Sequence, residues 1–277
     1  MNLEELKSMA GDIRVDIVKM VAEAGSGHPG GSLSAADIMC ALYFGGVLKH
    51  DADNPKAEDR DRFLLSKGHA APALYATLAE AGYFPKEELA TLRKLHSRLQ
   101  GHPDCKKLPG VEASTGSLGQ GLSIAAGMAL GLKLNGSESS VFTLMGDGEC
   151  QEGQVWEAAM FAAHKGLDNL VAIVDHNHLQ IDGRIETVCS PEDLGDKFRS
   201  FGWQVFQCDG NDMEAILATL ESAKESRGGK PCVIVAETTK GKGVSFMEDQ
   251  AGWHGKAPNA EQTEQALAEL TANKEAK

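Results

Sequence analysis

Hydrophobic residues recur with two different spacings along the chain, and each spacing predicts one kind of element. A spacing of three and four residues, typical of amphipathic helices, occupies the segments 3–24, 34–44, 71–81, 118–134, 153–166, 212–226 and 261–275. Short continuous apolar runs, typical of strands, occupy residues 63–65, 141–145, 170–175, 203–208 and 232–237. From residue 141 onward the two kinds of segment alternate, which predicts parallel strands joined by crossover helices.

The predicted strands lack the alternation of apolar and polar residues that marks a half-exposed sheet. Continuous apolar runs are typical of parallel strands that are covered on both faces. We therefore predict an α/β fold, a doubly wound and mostly parallel sheet with helices on both faces, in a single domain over residues 1–277. The Gly-rich stretch 101–121 is too long for a simple connection, and long loops of this kind are often functional.

Composition narrows the class of protein. The 277 residues include 27 Lys and Arg against 40 Asp and Glu, a formal net charge of −13 that argues against nucleic-acid binding and against an anionic membrane surface. The N-terminus has no apolar stretch of the signal-peptide type, and no run approaches the roughly 20 apolar residues of a membrane span. Six scattered cysteines without a C-x-x-C pair fit a reducing compartment, so we expect a cytoplasmic protein.

The segment "MGDGECQEG" (145–153) places three acids where open sheets usually bind phosphate. Asp147 follows one predicted strand and Asn177 follows the next, so both lie at the edge where such sheets bind ligands. Together with the Leu179 carbonyl they offer hard oxygen ligands, which suit Mg²⁺ or Ca²⁺. The cation would then bind a phosphate that the acids alone would repel. Asp-Gly also marks ordinary turns, and that alternative stays open.

Histidines recur beside glycines at four places, in "SGHPGG" (26–31), "SKGHA" (66–70), "QGHPD" (100–104) and "WHGKAP" (253–258). Glycine leaves room for a ligand beside an imidazole, and imidazole transfers protons near neutral pH. Two further chemistries are not favoured. His176 and His178 have no third zinc ligand in the sequence pattern and are expected to face solvent. Cys150 has no paired histidine, so a nucleophilic role is not predicted.

These four segments, together with "STGSLGQG" (114–121), "GDGECQEGQVWEA" (146–158) and "ETTKGKG" (237–243), resemble the N-terminal, diphosphate-binding part of transketolase. The resemblance covers nearly the whole chain, and the seven motifs follow the family's order. It implies a thiamine diphosphate-binding fold, with thiamine diphosphate held through Mg²⁺ or Ca²⁺. It also implies transfer of a two-carbon ketol unit from a ketose phosphate to an aldose phosphate.

The resemblance assigns a role to each matching residue. It implies metal ligation by Asp147, Asn177 and the Leu179 carbonyl. It implies cofactor contacts by His69, His254, Lys67, Lys240 and Gly148 at the diphosphate, by Gly116 and Leu118 at the aminopyrimidine, and by Ile181 at the thiazolium. It implies catalytic roles for His28, His102 and His254, and an acid network across a subunit interface for Glu152 and Glu157. His176 and Lys240 depart from the residues found in many relatives.

Transketolases are normally more than twice as long, because they also carry pyrimidine-binding and C-terminal domains. We therefore expect the N-terminal subunit of a split transketolase, paired with a separate C-terminal subunit in an α2β2 assembly. The alternative explanation for the short length is that the sequence is an excised fragment of a longer protein. Alternatives for the function are a subunit of a 2-oxo acid dehydrogenase or deoxyxylulose-phosphate synthase, and a non-catalytic cofactor-binding module. A nicotinamide-binding domain is disfavoured because "GSLGQG" is not G-x-G-x-x-G.

Overall fold

The strands form one parallel sheet and one short hairpin in the computed structural model of the protein, which describes residues 1–275. The strands are β1 (Arg62–Leu65), β2 (Val141–Gly146), β3 (Leu170–His176), β4 (Leu179–Gln180), β5 (Gly183–Arg184), β6 (Gln204–Asp209) and β7 (Cys232–Glu237). Five of them lie in the order β1-β2-β3-β7-β6, all parallel, whereas β4 and β5 pair antiparallel. The five strands of the large sheet are those predicted from the apolar runs.

Ten α-helices connect and cover the strands within residues 1–275. They are α1 (Leu3–Ala24), α2 (Pro29–Ser34), α3 (Ala36–Phe44), α4 (Ala71–Glu80), α5 (Gln120–Leu134), α6 (Gly153–His164), α7 (Ile185–Cys189), α8 (Leu194–Ser200), α9 (Met213–Glu225) and α10 (Ala260–Glu275). Short 3₁₀ turns lie at Gly68–Ala70, Lys86–Thr91, Gly148–Gln151 and Ala251–Trp253. None of the described helices combines the length and the apolar composition needed to cross a bilayer.

Successive side chains of the central strands enter two separate cores, one on each face of the sheet. Phe142 and Ile173 belong to the core under α1, α3, α4, α9 and α10. Met145 and Val174 belong to the core under α5, α6 and α8. Because alternate residues of a strand point to opposite faces, these continuous apolar runs are what a sheet with two buried faces requires. The predicted doubly wound α/β fold is confirmed.

Several segments differ from the helix predictions. The segment "SGHPGG" lies outside the predicted helices, but Pro29 opens the short helix α2, since proline has the backbone angle of a first helical residue. The helix predicted over 118–134 begins at Gln120, because Gly119 has a φ of 83° that a helix cannot contain. The helix α8 was not predicted. It is only seven residues long, and the Asp193 side chain caps its first turn.

Parallel pairing brings the carboxyl ends of all five strands to one edge of the sheet. In the register of the sheet, Gly146 of β2 lies beside Asp175 of β3, and His176 of β3 lies beside Glu237 of β7. The segments that follow β1, β2, β3 and β7 therefore meet at this edge, which we call the site edge. No helix or strand interrupts residues 102–118, described throughout, so the predicted long loop is present next to it.

A buried ion pair joins the first helix to the third beneath the site edge. Arg14 of α1 donates two hydrogen bonds to the carboxylate of Asp37 of α3, one of them at 3.0 Å from Nη1 to Oδ1. Asn211 Nδ2 donates to Asp37 Oδ2 at 2.9 Å. Both charged side chains are more than nine-tenths buried. The loop before α9 is thereby fixed against the two helices.

We predict that Asp37→Ala strongly destabilises the chain. The substitution leaves the Arg14 guanidinium buried without its counter-charge, and breaking a buried pair in this way costs about 3–5 kcal/mol. Urea denaturation followed by circular dichroism measures the change in unfolding free energy. The matched control is Asp12→Ala on α1, the helix of Arg14, which removes a pair with Lys274 whose side chains are 35% and 36% exposed and should have a much smaller effect. Equal losses in the two variants would contradict this account.

Candidate active site

Asp147, the first residue after β2, connects two loops of the site edge. Its Oδ1 accepts a hydrogen bond from the Gly148 amide at 2.7 Å, and its Oδ2 accepts one from the His178 amide at 2.6 Å. The carboxylate is 2% exposed. Burial, with the nearby charge of Asp175, raises the pKa of Asp147 above its ordinary value. A buried acid in these surroundings is stabilised by a neighbouring cation.

Asn177, the first residue after β3, lies beside it and is also buried. Its Oδ1 accepts from the Leu179 amide at 3.2 Å, and its Nδ2 donates to Asp175 Oδ2 at 3.0 Å. The Leu179 carbonyl accepts a hydrogen bond from Lys240 Nζ at 2.9 Å. Burial, together with the charge of Lys67, lowers the pKa of Lys240 to about 8. A cationic group therefore contacts one of the three predicted metal ligands directly.

These two loops offer a carboxylate, an amide oxygen and a backbone carbonyl. Such hard oxygen donors are those that Mg²⁺ and Ca²⁺ prefer. Asp147, Asn177 and Leu179 thus fit the predicted divalent cation by their chemistry. No sulfur or imidazole ligand belongs to this set of three, which disfavours a softer metal at the same place.

Asp175, the penultimate residue of β3, lies at the centre of the site edge and was not predicted. It is fully buried and pairs with Lys67, which is 1% exposed and whose Nζ also donates to the Gly31 carbonyl at 2.8 Å. Ser34 Oγ donates to Asp175 Oδ2 at 2.6 Å, and Thr238 donates to Oδ1. Burial alone would raise the pKa of Asp175, but the Lys67 ammonium and the hydrogen bonds outweigh it and lower the pKa.

Glu149, the second acid of "MGDGECQEG", connects three loops and does not face the site. Its Oε1 accepts hydrogen bonds from Ser66 Oγ and, at 2.9 Å, from the Gly119 amide. Its Oε2 accepts from the Gly146 amide at 3.0 Å. Burial raises the pKa of Glu149, although these donors partly offset the effect. Both Glu149 oxygens are thus occupied by donors from neighbouring loops.

The four Gly-flanked histidines lie together. The ring centroids of His28, His69 and His254 are 5.0–5.4 Å apart, and His102 lies 6.3 Å from His28. Burial lowers the pKa of His28 to about 4 and that of His254 to about 3, and it lowers the pKa of His69 and His102 as well. At neutral pH all four imidazoles are therefore uncharged.

Two of these imidazoles carry a buried nitrogen without a hydrogen-bond partner. Among the described residues, neither His28 Nδ1 nor His254 Nδ1 has a donor or acceptor within reach. Buried polar atoms are nearly always satisfied in folded proteins, by the protein, by water or by a ligand. Unsatisfied nitrogens at the centre of a histidine cluster are therefore typical of a site that binds something polar.

Two glycines allow close backbone approaches at the site edge, one against the histidine cluster and one against Gln180. A Cβ on Gly116, which has a φ of 140°, would lie 2.7 Å from His102 Cδ2. A Cβ on Gly148 would lie 3.2 Å from Gln180 Cβ. Leu118 and Ile181 remain 38% and 66% exposed, which is unusual for large apolar side chains. Their exposed surface can contact an apolar part of a ligand or partner.

Three predictions outside the site have different outcomes. Glu152 and Glu157 are exposed on or beside α6, and their proposed part in an interface network stays a prediction. Cys150 is buried, and burial raises the pKa of its thiol well above the ordinary value, in keeping with an unreactive side chain. His176 and His178 were expected to face solvent without a third ligand, and the second part of that expectation is wrong. They are half-buried, and Glu237 supplies the third candidate ligand that local sequence spacing did not reveal.

Comparison with known proteins extends over the whole chain. The family described as "Transketolase, thiamine diphosphate binding domain" matches residues 6–277. The chain is 44% identical over 266 residues to the 6-deoxy-6-sulfo-D-fructose transketolase subunit SqwG of a Clostridium species, covering 96% of each chain. It is 44% identical over 271 residues to an apulose-4-phosphate transketolase subunit of Phocaeicola vulgatus, covering 98% of this chain and 95% of the relative.

Solved structures agree with these relatives. The transketolase of Campylobacter jejuni superposes with a TM-score of 0.91 at 35% identity, over 100% of this chain and 46% of that one. The chain thus spans less than half the length of that transketolase, but nearly the whole length of the two subunits. The family predicted from the seven motifs is confirmed. The chain belongs to the transketolase family, and it corresponds to the thiamine diphosphate-binding domain of that family.

Proposed function

We propose that this chain is the N-terminal subunit of a split transketolase, acting as a single domain over residues 1–277. One observation carries the proposal: four uncharged imidazoles lie at the same site edge as the oxygen ligands of Asp147 and Asn177. A cation site beside proton-transfer groups suits a diphosphate cofactor whose reactive end meets a hydroxylated substrate. The match to two subunits over 95–96% of their length supports a subunit rather than a full-length transketolase.

The cofactor of the proposal is thiamine diphosphate with Mg²⁺ or Ca²⁺. Asp147, Asn177 and the Leu179 carbonyl would hold the cation. The residues that would contact the diphosphate are Gly148, His69, His254, Lys67 and Lys240, and those that would contact the rings are Gly116, Leu118 and Ile181. When bound, the cofactor supplies the electron sink for breaking the ketose C–C bond.

Charge balance supports a diphosphate at this place. Lys67 is paired with Asp175, whereas Lys240 contacts only a neutral carbonyl among the described residues. A divalent cation placed beside Lys240 adds positive charge in a buried region, where unbalanced charge is costly. A diphosphate supplies the negative charge that accommodates both cations, as a pyrophosphate bound through Mg²⁺ does in other enzymes.

The histidines would handle the protons of the reaction. His28, His102 and His254 are uncharged at neutral pH, so each can accept a proton from a substrate hydroxyl or donate its ring N–H to an oxygen. The low pKa values also prevent positive imidazoles from competing with the cation for the diphosphate. The histidines thus orient the sugar and move protons at its hydroxyls.

The partner and substrates follow from the family and from the two subunit relatives. We propose a separate C-terminal, pyrimidine-domain subunit, in an α2β2 assembly in which Glu152 and Glu157 face the interface. One relative is named for 6-deoxy-6-sulfo-D-fructose and another for apulose-4-phosphate, so we propose a ketose donor and an aldose acceptor that carry an anionic group. The six free cysteines favour a cytoplasmic enzyme.

We predict that Asp147→Asn and Asp147→Ala abolish cofactor binding in the assembled enzyme. Loss of the charged ligand should weaken binding more than about 100-fold, since even residues that only support a ligand contribute about 10–100-fold to metal affinity. Titration calorimetry with thiamine diphosphate and Mg²⁺ measures the affinity. The matched control is Asp168→Ala, which removes a surface pair with Lys133 just before β3, at the amino end of the sheet opposite the site edge. Unchanged affinity in Asp147→Asn would exclude Asp147 as the metal ligand.

We predict that His28→Ala and His102→Ala lower turnover much more than cofactor affinity. A well-placed acid–base group contributes about 10²–10⁴-fold to rate, so kcat should fall within that range. Steady-state kinetics of the assembled enzyme, with calorimetry for the cofactor, separates the two effects. His164→Ala on α6 is the control and should leave both unchanged. A parallel loss of cofactor binding in His28→Ala would move that histidine to the diphosphate.

We predict that the purified chain alone has no transketolase activity. A site formed by one subunit alone encloses only part of the cofactor. It binds the cofactor weakly, because burial and pre-organisation are both incomplete. The assay contains thiamine diphosphate, Mg²⁺, a ketose phosphate and an aldose phosphate, with and without a C-terminal transketolase subunit from the same organism. Activity should appear only in the mixture. Turnover by the single chain would overturn the split-enzyme proposal, and no turnover in the mixture would favour a non-catalytic module.

A further inference from the structure

Three side chains at the ends of β3 and β7 and just after β3 form a second cluster, which none of the roles above uses. His176 Nδ1 lies 2.8 Å from Glu237 Oε1, and His178 Nε2 lies 2.9 Å from Glu237 Oε2. The two imidazole centroids are 4.1 Å apart. One ligand atom from each of the three residues falls within 4.8 Å of the others. We call His176, His178 and Glu237 the rim cluster.

The backbone of the rim cluster is fixed by the sheet. His176 and Glu237 are register partners in the last pair of β3 and β7. The His178 amide is held by Asp147 Oδ2, and His178 has a φ of 62°, a left-handed conformation that is uncommon outside glycine. A side chain on such a fixed backbone loses little freedom when it binds a ligand. The cluster is therefore pre-organised.

We propose that the rim cluster binds a transition-metal ion of the Zn²⁺ class. Two imidazoles and a carboxylate with an open fourth position are a ligand set that suits Zn²⁺ and its neighbours, whereas Mg²⁺ prefers oxygen alone. Atoms bound to one ion at about 2.0–2.1 Å lie about 2.9–3.4 Å apart in octahedral or tetrahedral geometry. The two nitrogen–oxygen distances of 2.8 and 2.9 Å already approach that range. After small shifts of the side chains, the ion would therefore take the place of the protons shared between these nitrogens and Glu237.

A second carboxylate supports the same assignment. Glu186 Oε1 lies 3.1 Å from His178 Nδ1, so that nitrogen can donate to Glu186 while Nε2 binds the ion. Carboxylates that orient a metal-binding histidine in this way are a regular feature of metal sites. Glu186 and Glu237 together contribute two negative charges. Arg184 offsets part of this charge, because its Nε lies 3.9 Å from Glu186 Oε2. Glu237 is half exposed, so an ion can enter from solvent.

The rim cluster is separate from the oxygen ligands of the proposed catalytic cation. Asn177 turns its amide toward Asp175, while the imidazoles on either side of it in the chain turn toward Glu237. An ion in the rim cluster would thus hold the segment 176–178 from outside, and through the His178 amide it would also hold the Asp147 carboxylate in place. The inference does not depend on the proposed function, because binding to the chain alone tests it.

The test is a calorimetric titration of the full chain with Zn²⁺ in a neutral buffer that contains millimolar Mg²⁺. We expect one ion per chain with micromolar affinity. His178→Gln, His176→Ala and Glu237→Gln should each weaken binding more than about tenfold, and Glu186→Gln about tenfold. Co²⁺ in place of Zn²⁺ should give d–d absorption bands without a thiolate charge-transfer band. Circular dichroism shows whether each variant is folded. If a histidine variant fails to fold, Glu237→Gln still tests the cluster, because it alters the most exposed of the three ligands.

Two controls distinguish the rim cluster from other places on the chain. His164→Ala removes an exposed histidine elsewhere, and the double variant Cys105→Ser/Cys189→Ser removes the two exposed thiols; both should bind as the wild type does. The proposal is overturned if the wild type binds neither Zn²⁺ nor Co²⁺. It is equally overturned if binding survives in all three ligand variants, or is lost only in the cysteine variant or in Asn177→Ala.

Discussion

The buried carboxylate of Asp175 is the interaction on which the site edge depends. It accepts hydrogen bonds from Lys67, Ser34, Asn177 and Thr238, which come from four separate segments of the chain. A buried charge of this kind is tolerated only when it is paired and its remaining lone pairs are satisfied. The segments after β1, β3 and β7 and the helix α2 must therefore be in place together, and the positions of the candidate ligands follow from that requirement.

Much of the fold could be predicted from the sequence because the strands are long, apolar and buried on both faces. The runs 141–145, 170–175 and 232–237 differ from β2, β3 and β7 by at most one residue, and the predicted crossovers place those strands in parallel. The short elements could not be predicted in the same way. In α8, seven residues span only about two helical turns, too few for a period of 3.6 to be recognised.

The candidate site was predicted by residue type and motif, but its connections were not. Asp147, Asn177 and the four histidines are recognisable because glycines flank them or because they follow strands. Glu149 and Asp175 belong to the same motifs. However, no spacing rule distinguishes a carboxylate that accepts hydrogen bonds from buried loops and a carboxylate that faces a ligand. Likewise, Glu237 lies 59 residues from His178 in the chain, and only the pairing of β3 with β7 brings their side chains together.

The connection made by Glu149 has a consequence for how such an enzyme can change its substrate. One carboxylate holds the segments around Ser66, Gly119 and Gly146, so a substitution that moves any one of them disturbs the other two. These three segments are therefore poor places for gradual variation. Side chains that share no such partner can vary independently, so we expect a change of substrate by single substitutions to occur there.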